Sequence, residues 1–366
     1  MARYKLGEIF DLQMGKTPDR HNLDFWTNGS EPWISIADLS KCDKYIEKTA
    51  ELISQEAVKK SGIKLIPKDT VVMSFKLSIG KVAITPKEMY SNEAIMAFIN
   101  KGELQIEPTY LYYMLMQHDW DAGTNKAVMG KTLNKATLSQ IAVDIHSLAE
   151  QREIISVLDK ASAVITARRQ QLVELDNLIK ARFVEMFGEC KAYRKFEECL
   201  EIKDNMRKPI SSAERASMQV GTLYPYYGAT GQVGWINDYL SDFDGLCIAE
   251  DCGNYHAGEA SSYIVRGKIW VNNHAHLLKC VTGVSNLYFI NEFFRFADLM
   301  DYVNGATRLK LTQSAMKTIP ILCPPIELQN QFAAFVEQTD KSKVVVQKAL
   351  EEAQLLFDSL MQEYFG

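Results

Sequence analysis

From Glu150 to Phe187 the chain holds neither proline nor glycine, and apolar residues recur at Leu158, Ala161, Ile165, Leu172, Leu175, Ile179 and Met186, mostly in steps of three and four. That spacing is one face of an α-helix. A second stretch puts Val336, Val346, Leu350, Ala353, Phe357, Leu360 and Tyr364 in the same register. Each helix should run about 37 residues, roughly 55 Å at 1.5 Å per residue. Helices of this length with a narrow apolar stripe usually pack on one another as a coiled coil. Arg168, Thr339 and Lys343 fall on the seams, which suits a pair inside one molecule better than a long homodimeric zipper.

Elsewhere the pattern shortens to strand-like runs between turns. Thr70–Phe75 and Lys81–Ile84 flank a turn at Ser78-Ile79-Gly80, and Ala94–Ile99 follows; Gly245–Ala249, Ser262–Val265 and Ala275–Lys279 come in the same order later. Each set ends in an aromatic-rich helix candidate, Pro108–Trp120 and Asn286–Tyr302. The expected class is α+β, with mixed domains at 1–148 and 189–325 and long helices at 149–188 and 326–366.

These two halves are copies. Leu133–Gly188 lies over Leu311–Gly366 at one constant offset, placing Leu138 on Met316, Ile141 on Ile319, Gln151 on Gln329 and Ile154 on Phe332. Lys5–Phe10 is answered by Lys195–Leu200, and the likeness between start and end is loose. Divergent middles between similar ends are the pattern of one scaffold carrying two recognition surfaces.

Composition narrows the class. The 366 residues are 47% hydrophobic and 24% charged, an ordinary globular balance at a length that divides into domains. No stretch approaches the roughly 20 apolar residues that cross a bilayer. Met1–Phe10 carries Arg3, Lys5 and Glu8 instead of an apolar signal core, and a soluble, cytoplasmic protein is expected. Seven scattered cysteines without a Cys-x-x-Cys pair read as reduced thiols. The formal charge of −5 means that any nucleic-acid site must be a local basic patch.

Catalytic signals are poor. In Gly123–Thr132 six residues separate the glycines where a phosphate-cradling P-loop has four, and a helix rather than a strand precedes it. His274-x-His276 with Cys280 could be imagined as metal ligands, but no further ligand lies at a persuasive spacing, and a polar pair at a strand end is expected. Glu250 and Asp251, adjacent on a strand, should point to opposite faces and mark a turn or exposed edge. The basic residues repeat better. Lys126, Lys131 and Lys135 sit in an acid-free window, and Arg308, Lys310 and Lys317 sit in its repeat equivalent, which favours phosphate contact. The residues alone leave open a DNA-recognition scaffold, a homodimeric coiled-coil adaptor with two protein- or glycan-binding domains, and a hydrolase with an unrecognised site.

Three strings carry a resemblance over essentially the whole length: Tyr226-Tyr227-Gly228-Ala229-Thr230-Gly231-Gln232-Val233-Gly234 after Pro225; Gly267–His276; and Gly305-Ala306-Thr307-Arg308 leading through Leu311-Thr312-Gln313 and Ile319-Pro320 to Pro324-Pro325-Ile326-Glu327-Leu328-Gln329. With them the chain resembles the specificity subunit (HsdS, S subunit) of type I restriction-modification systems. The first copy has Ser147-Leu148-Ala149-Glu150-Gln151 in place of the paired prolines, which should loosen that hinge.

The resemblance implies two target recognition domains, each reading half of a split duplex DNA site. Two antiparallel helices would hold them apart and dock two methylation (M) subunits through positions such as Leu158, Ile165, Leu172, Leu175, Ile179, Val346, Leu350, Phe357 and Leu360. The chain itself would be no enzyme and hold no cofactor; S-adenosylmethionine, ATP and Mg²⁺ would sit on the M and restriction (R) subunits. Base readout needs donors and acceptors on loops that enter the major groove. The candidates are Lys76, Ser78 and Lys81 in the first copy and Tyr227, Thr230, Asn254 and His256 in the second, beside the basic windows.

Overall fold

The computed structural model describes residues 1–76, 78–120, 133–259, 261–305 and 308–366. The chain divides into two compact units: residues 1–167 with 350–366, and residues 168–349. The division therefore falls in the middle of each long helix.

The first unit is built on a four-stranded antiparallel sheet in the order Phe10–Met14, Ile95–Asn100, Val71–Ser74, Val82–Ile84. Alternation along a strand sends Val71 and Met73 into one core with Leu12, Ile84 and Phe98, and Val72 into another with Ile34, Ile46 and Ala97. Burial on both faces explains the unbroken apolar run at 70–75. A smaller sheet sets Glu31–Ile34 antiparallel to Glu51–Ile53 and parallel to Tyr90–Ser91.

The second unit repeats this plan. Its main sheet runs Leu200–Ile202, Ala275–Cys280, Gly245–Ala249, Ser262–Val265. Its second sheet again centres on a strand, Tyr224–Gly228, antiparallel to one neighbour, Gly231–Ile236, and parallel to another, Lys268–Val271. A two-stranded tie recurs as well: Ala2–Lys5 with Ala142–Ile145, and Tyr193–Arg194 with Ile321–Leu322.

The aromatic-rich helices are shorter than their sequence suggested. Pro108–Gln117 stops because His118 turns to extended backbone and Trp120 Nε1 donates back to the Leu115 carbonyl at 3.0 Å. Leu287–Phe296 ends at Ala297, and Asp298 then caps a separate 3₁₀ turn by accepting from the Met300 amide at 2.9 Å.

The long helices each span 40 residues, Leu148–Phe187 and Ile326–Phe365. Inside the first unit Ile154, Leu158, Ala161 and Ile165 share a core with Phe357 and Met361; inside the second, Ile179, Phe183 and Phe187 share one with Phe332 and Val336. The early half of one helix thus packs with the late half of the other, an antiparallel pairing. Of the predicted seam residues, Leu158, Ile165, Ile179 and Phe357 are buried, and Leu172, Leu175, Val346, Leu350 and Leu360 are half-buried. The polar seam positions have partners. Thr339 Oγ1 donates to the Phe335 carbonyl at 2.9 Å, and Lys343 Nζ lies 2.8 Å from Asp176.

The first long helix does not begin loosely. Ser147 Oγ accepts from the Glu150 amide at 3.4 Å while the Ser147 amide donates to Glu150 Oε2 at 2.8 Å, a capping box in place of the prolines. Among the described residues no helix is long and apolar enough to cross a membrane, and no cluster of ligands could hold a metal. All seven cysteines are free thiols.

Candidate nucleic-acid interface

In the first unit the strand Val71–Ser74 runs into the turn that carries Lys76, Ser78 and Lys81. Gly80 at φ +86° lets the chain reverse, and its amide donates to the Ser74 carbonyl at 3.0 Å. Ser78 is exposed; Lys76 and Lys81 are half-buried, with Lys76 Nζ 5.2 Å from the Phe75 ring and Lys81 Nζ donating to Ser40 Oγ. The end of the basic window is tied to this turn, since the Leu133 amide donates to the Phe75 carbonyl at 3.1 Å. Lys135 follows at the start of helix Lys135–Gln140, exposed and only 3.5 Å from the equally exposed Asp11, a pair of little energetic weight. Lys126 and Lys131 lie outside the described residues, as does the whole of Gly123–Thr132.

The second unit makes the same join. The Leu311 amide donates to the Glu250 carbonyl at 2.8 Å, which brings Arg308 and Lys310 to the segment that carries Asn254 and His256. Gly305 closes the loop at φ +116°, where a Cβ would stand 2.2 Å from the Arg308 carbonyl oxygen. Asn304 and Lys310 exchange backbone hydrogen bonds of 3.0 and 2.8 Å.

Here the sequence reading of Glu250 and Asp251 holds in part: Glu250 lies at a bend between two strands, but neither acid stands on an exposed edge. Asp251–Cys252 is a short strand paired with Leu309–Lys310, and both carboxylates are enclosed, not on an exposed edge. Glu250 meets Arg207 at 2.8 Å and Lys310 at 3.0 Å; Asp251 meets Arg308 at 2.9 Å and His274 at 3.0 Å. Behind them Arg207 also holds Asp204 at 3.0 Å. His276, buried, sits between Asp204 Oδ2 at 2.6 Å and the Leu311 carbonyl at 2.8 Å. Burial alone would raise the carboxyl of Asp204, but His276, the Leu277 amide and Arg207 hold it below the ordinary range. Glu250 is likewise held low against burial by Arg207 and Lys310. An acidic ledge thus carries the two basic side chains, and Arg207 and Asp204, which the sequence reading did not single out, complete it.

The other predicted readers are placed less uniformly. His256 is exposed and 3.2 Å from Asp298, while Asn254 accepts from the His256 amide at 3.1 Å. Thr230 is exposed at the tip of the hairpin formed by Tyr224–Gly228 and Gly231–Ile236. Tyr227 in that hairpin is half-buried, its ring stacked 5.6 Å from Tyr263. Trp235, 49% exposed on the outer strand, is a further available aromatic that the sequence reading passed over.

The comparisons with known proteins agree in kind. A family described as "Type I restriction modification DNA specificity domain" matches residues 1–176 and again 191–354. The EcoprrI specificity subunit of Escherichia coli is 22% identical over 360 residues, spanning 92% of this chain and 86% of that one. The MjaIX specificity subunit of Methanocaldococcus jannaschii is 26% identical over 197 residues, 53% of this chain and 45% of that one. The crystal structure of a type I S subunit from M. genitalium shares the fold at a TM-score of 0.57 and 16% identity, covering 100% of this chain and 96% of that one. A chain from a study of complex assembly and conformational transition of the type I R-M system shares it at 0.58 and 14% identity, with 100% and 97% covered. Nothing in these comparisons supports an adaptor or a hydrolase. With two matching regions and two copies of one α+β plan, the chain belongs to the type I restriction modification DNA specificity domain family, a non-catalytic DNA-recognition component.

Proposed function

We propose that each unit's mixed domain reads one half of a bipartite, asymmetric duplex DNA site, and that the long helices set the unspecified spacer between the halves and dock two M subunits. Adenine-N6 methylation with S-adenosylmethionine, and ATP- and Mg²⁺-dependent cleavage with R subunits, are then activities of the assembled complex. The observation that carries this reading is the repeated join between the basic window and the strand-end turn, Leu133 to Phe75 and Leu311 to Glu250. On one plan in both units it joins a residue next to a candidate phosphate contact, Leu133 near Lys135 and Leu311 beside Lys310, to the turn that follows a central strand, which supports a pairing of phosphate contact with base readout. Docking finds support in a second set of apolar residues outside the helix seam: Val164, Val173 and Val184 on one helix, Val344, Val345 and Leu355 on the other, all exposed.

The test is sequencing of modified adenines in cells that carry the M subunit with and without this chain. The expected result is a bipartite motif only in its presence; equal selectivity without it ends the proposal. Lys135→Ala, and the double change Arg308→Ala with Lys310→Ala, should each flatten log affinity against log salt by up to about 0.9 for every phosphate that is no longer neutralised. Half-site sequences should stay the same, and an unchanged slope returns these residues to ordinary solvated surface.

A further inference from the structure

Gln151 and Gln329 stand at the fourth position of the two long helices, correspond to one another under the repeat, and are 1% and 0% exposed. A carboxamide has one acceptor oxygen and two N–H donors, and each of these glutamines directs all of them at main-chain groups of its own unit, with Cys323 Sγ as an additional 3.7 Å partner of Gln329 Nε2. Gln151 Oε1 accepts from the Glu107 amide at 3.0 Å, and its Nε2 donates to the carbonyls of Gln105 at 3.2 Å and His146 at 3.0 Å. Gln329 Oε1 accepts from the Asn286 amide at 2.9 Å, and its Nε2 donates to the carbonyls of Val284 at 3.0 Å and Pro324 at 2.8 Å. Every partner in one copy falls on its counterpart in the other at the repeat offset, to within a single position. In both joints an N–H faces the oxygen and carbonyls face the nitrogen, so the partners themselves fix the amide orientation.

Glu107 and Asn286 are the N-cap residues of helices Pro108–Gln117 and Leu287–Phe296. Each carboxamide therefore ties the start of a recognition-domain helix to the start of a long helix. An apolar side chain of the same size would fill the space but leave a buried amide unpaired in each joint, together with two carbonyls at Gln151 and the Pro324 carbonyl at Gln329, where the Val284 carbonyl keeps the Cys323 thiol at 3.5 Å. A carboxylate could not donate to either carbonyl. The joint also ignores partner side chains: Gln105 and His146 in one copy are Val284 and Pro324 in the other. A contact whose shared partners are all backbone survives while the recognition surface around it diverges.

We propose that Gln151 and Gln329 are equivalent positioning residues, each fixing the angle between its recognition domain and its long helix and thereby the spacing of the two half-sites. The inference rests on the half-site reading above. It is tested in the complex with M subunits by comparing Gln151→Met and Gln329→Met with the wild-type chain. In modified-adenine sequencing, sites whose spacer is one base pair off should rise at least tenfold in either variant, with both half-site sequences unchanged. A merely structural loss would lower methylation evenly and leave the spacer single.

A DNA-independent measurement keeps the two ideas apart. Spin labels introduced through unnatural amino acids at the exposed Lys59 and Glu153 should give a distance distribution that broadens in Gln151→Met and not in Gln329→Met. An unchanged spacer or an unbroadened distance overturns the proposal. A wild-type chain without a fixed spacer would defeat the half-site reading, while the distance still decides the joint. Should the variants not fold, amide exchange of the wild-type chain decides: the Glu107 and Asn286 amides should exchange at least tenfold more slowly than unbonded loop amides, and loop-like rates overturn the joint.

Discussion

Four residues inserted after Ala167 and four after Ala349 should leave both half-sites unchanged and lengthen the spacer between them by one to two base pairs. These are the points at which each long helix passes from one compact unit to the other, and the seam contacts on either side belong to one unit each. Four residues add about 6 Å of helix and about 400° of rotation, only some 40° beyond a full turn, so the apolar faces return nearly to register. With about 3.4 Å of DNA per base pair, the added length approaches two base pairs. Exchange of residues 190–325 for the matching domain of a relative should instead change one half-site and keep the spacer. Sequencing of modified adenines in cells carrying each variant reads both outcomes. An insertion that rewrites a half-site, or an exchange that alters both halves, would show that the helices are not a ruler between independent readers.

Elements fixed by local pattern were legible before any coordinates. The first long helix announces itself through an unbroken run from Glu150 to Phe187 without proline or glycine, and the strands through runs whose two faces are both buried. The ends of the aromatic helices were not legible, because Trp120 folds back on the Leu115 carbonyl and Asp298 accepts from the Met300 amide of the turn that follows. Ser147-x-x-Glu150 carries a capping-box pattern, which outweighs the missing prolines at that helix start.

What stayed hidden depends on distant partners. Gln151 reaches groups 44 and 46 residues away, and nothing in its neighbours marks it except its repeat mate. Glu250 and Asp251 look like an exposed edge until Leu309–Lys310 pairs beside them. The base readers follow from loop geometry, which has no sequence code; the repeat could point to the basic windows, but not to the ledge beneath Arg308 and Lys310.

That ledge should also be where a single substitution costs the second unit most. Arg207, Asp204 and Glu250 have side chains only 14%, 10% and 16% exposed, so solvent screens their charges little. Arg207 also donates to the Ala275 carbonyl at 2.7 Å. Its Nε has no partner, which makes the cluster less favourable than a fully satisfied one, but Arg207→Ala would still leave two enclosed carboxylates short of a counter-charge. Breaking a buried pair in this way costs about 3–5 kcal/mol, and for a unit of this size that lowers the midpoint of thermal unfolding by roughly 6–20 °C. Asp204 and Glu250 have carboxyls held below their unfolded values, so their stabilisation is complete above about pH 5 and is lost as pH falls through the lower folded values. Calorimetry of wild type and variant should therefore show a wide gap at pH 7 that narrows toward pH 3, with the first unit's transition unmoved. A gap under about 1 kcal/mol at pH 7 would mean that His276 and Lys310 suffice to hold the two acids without Arg207.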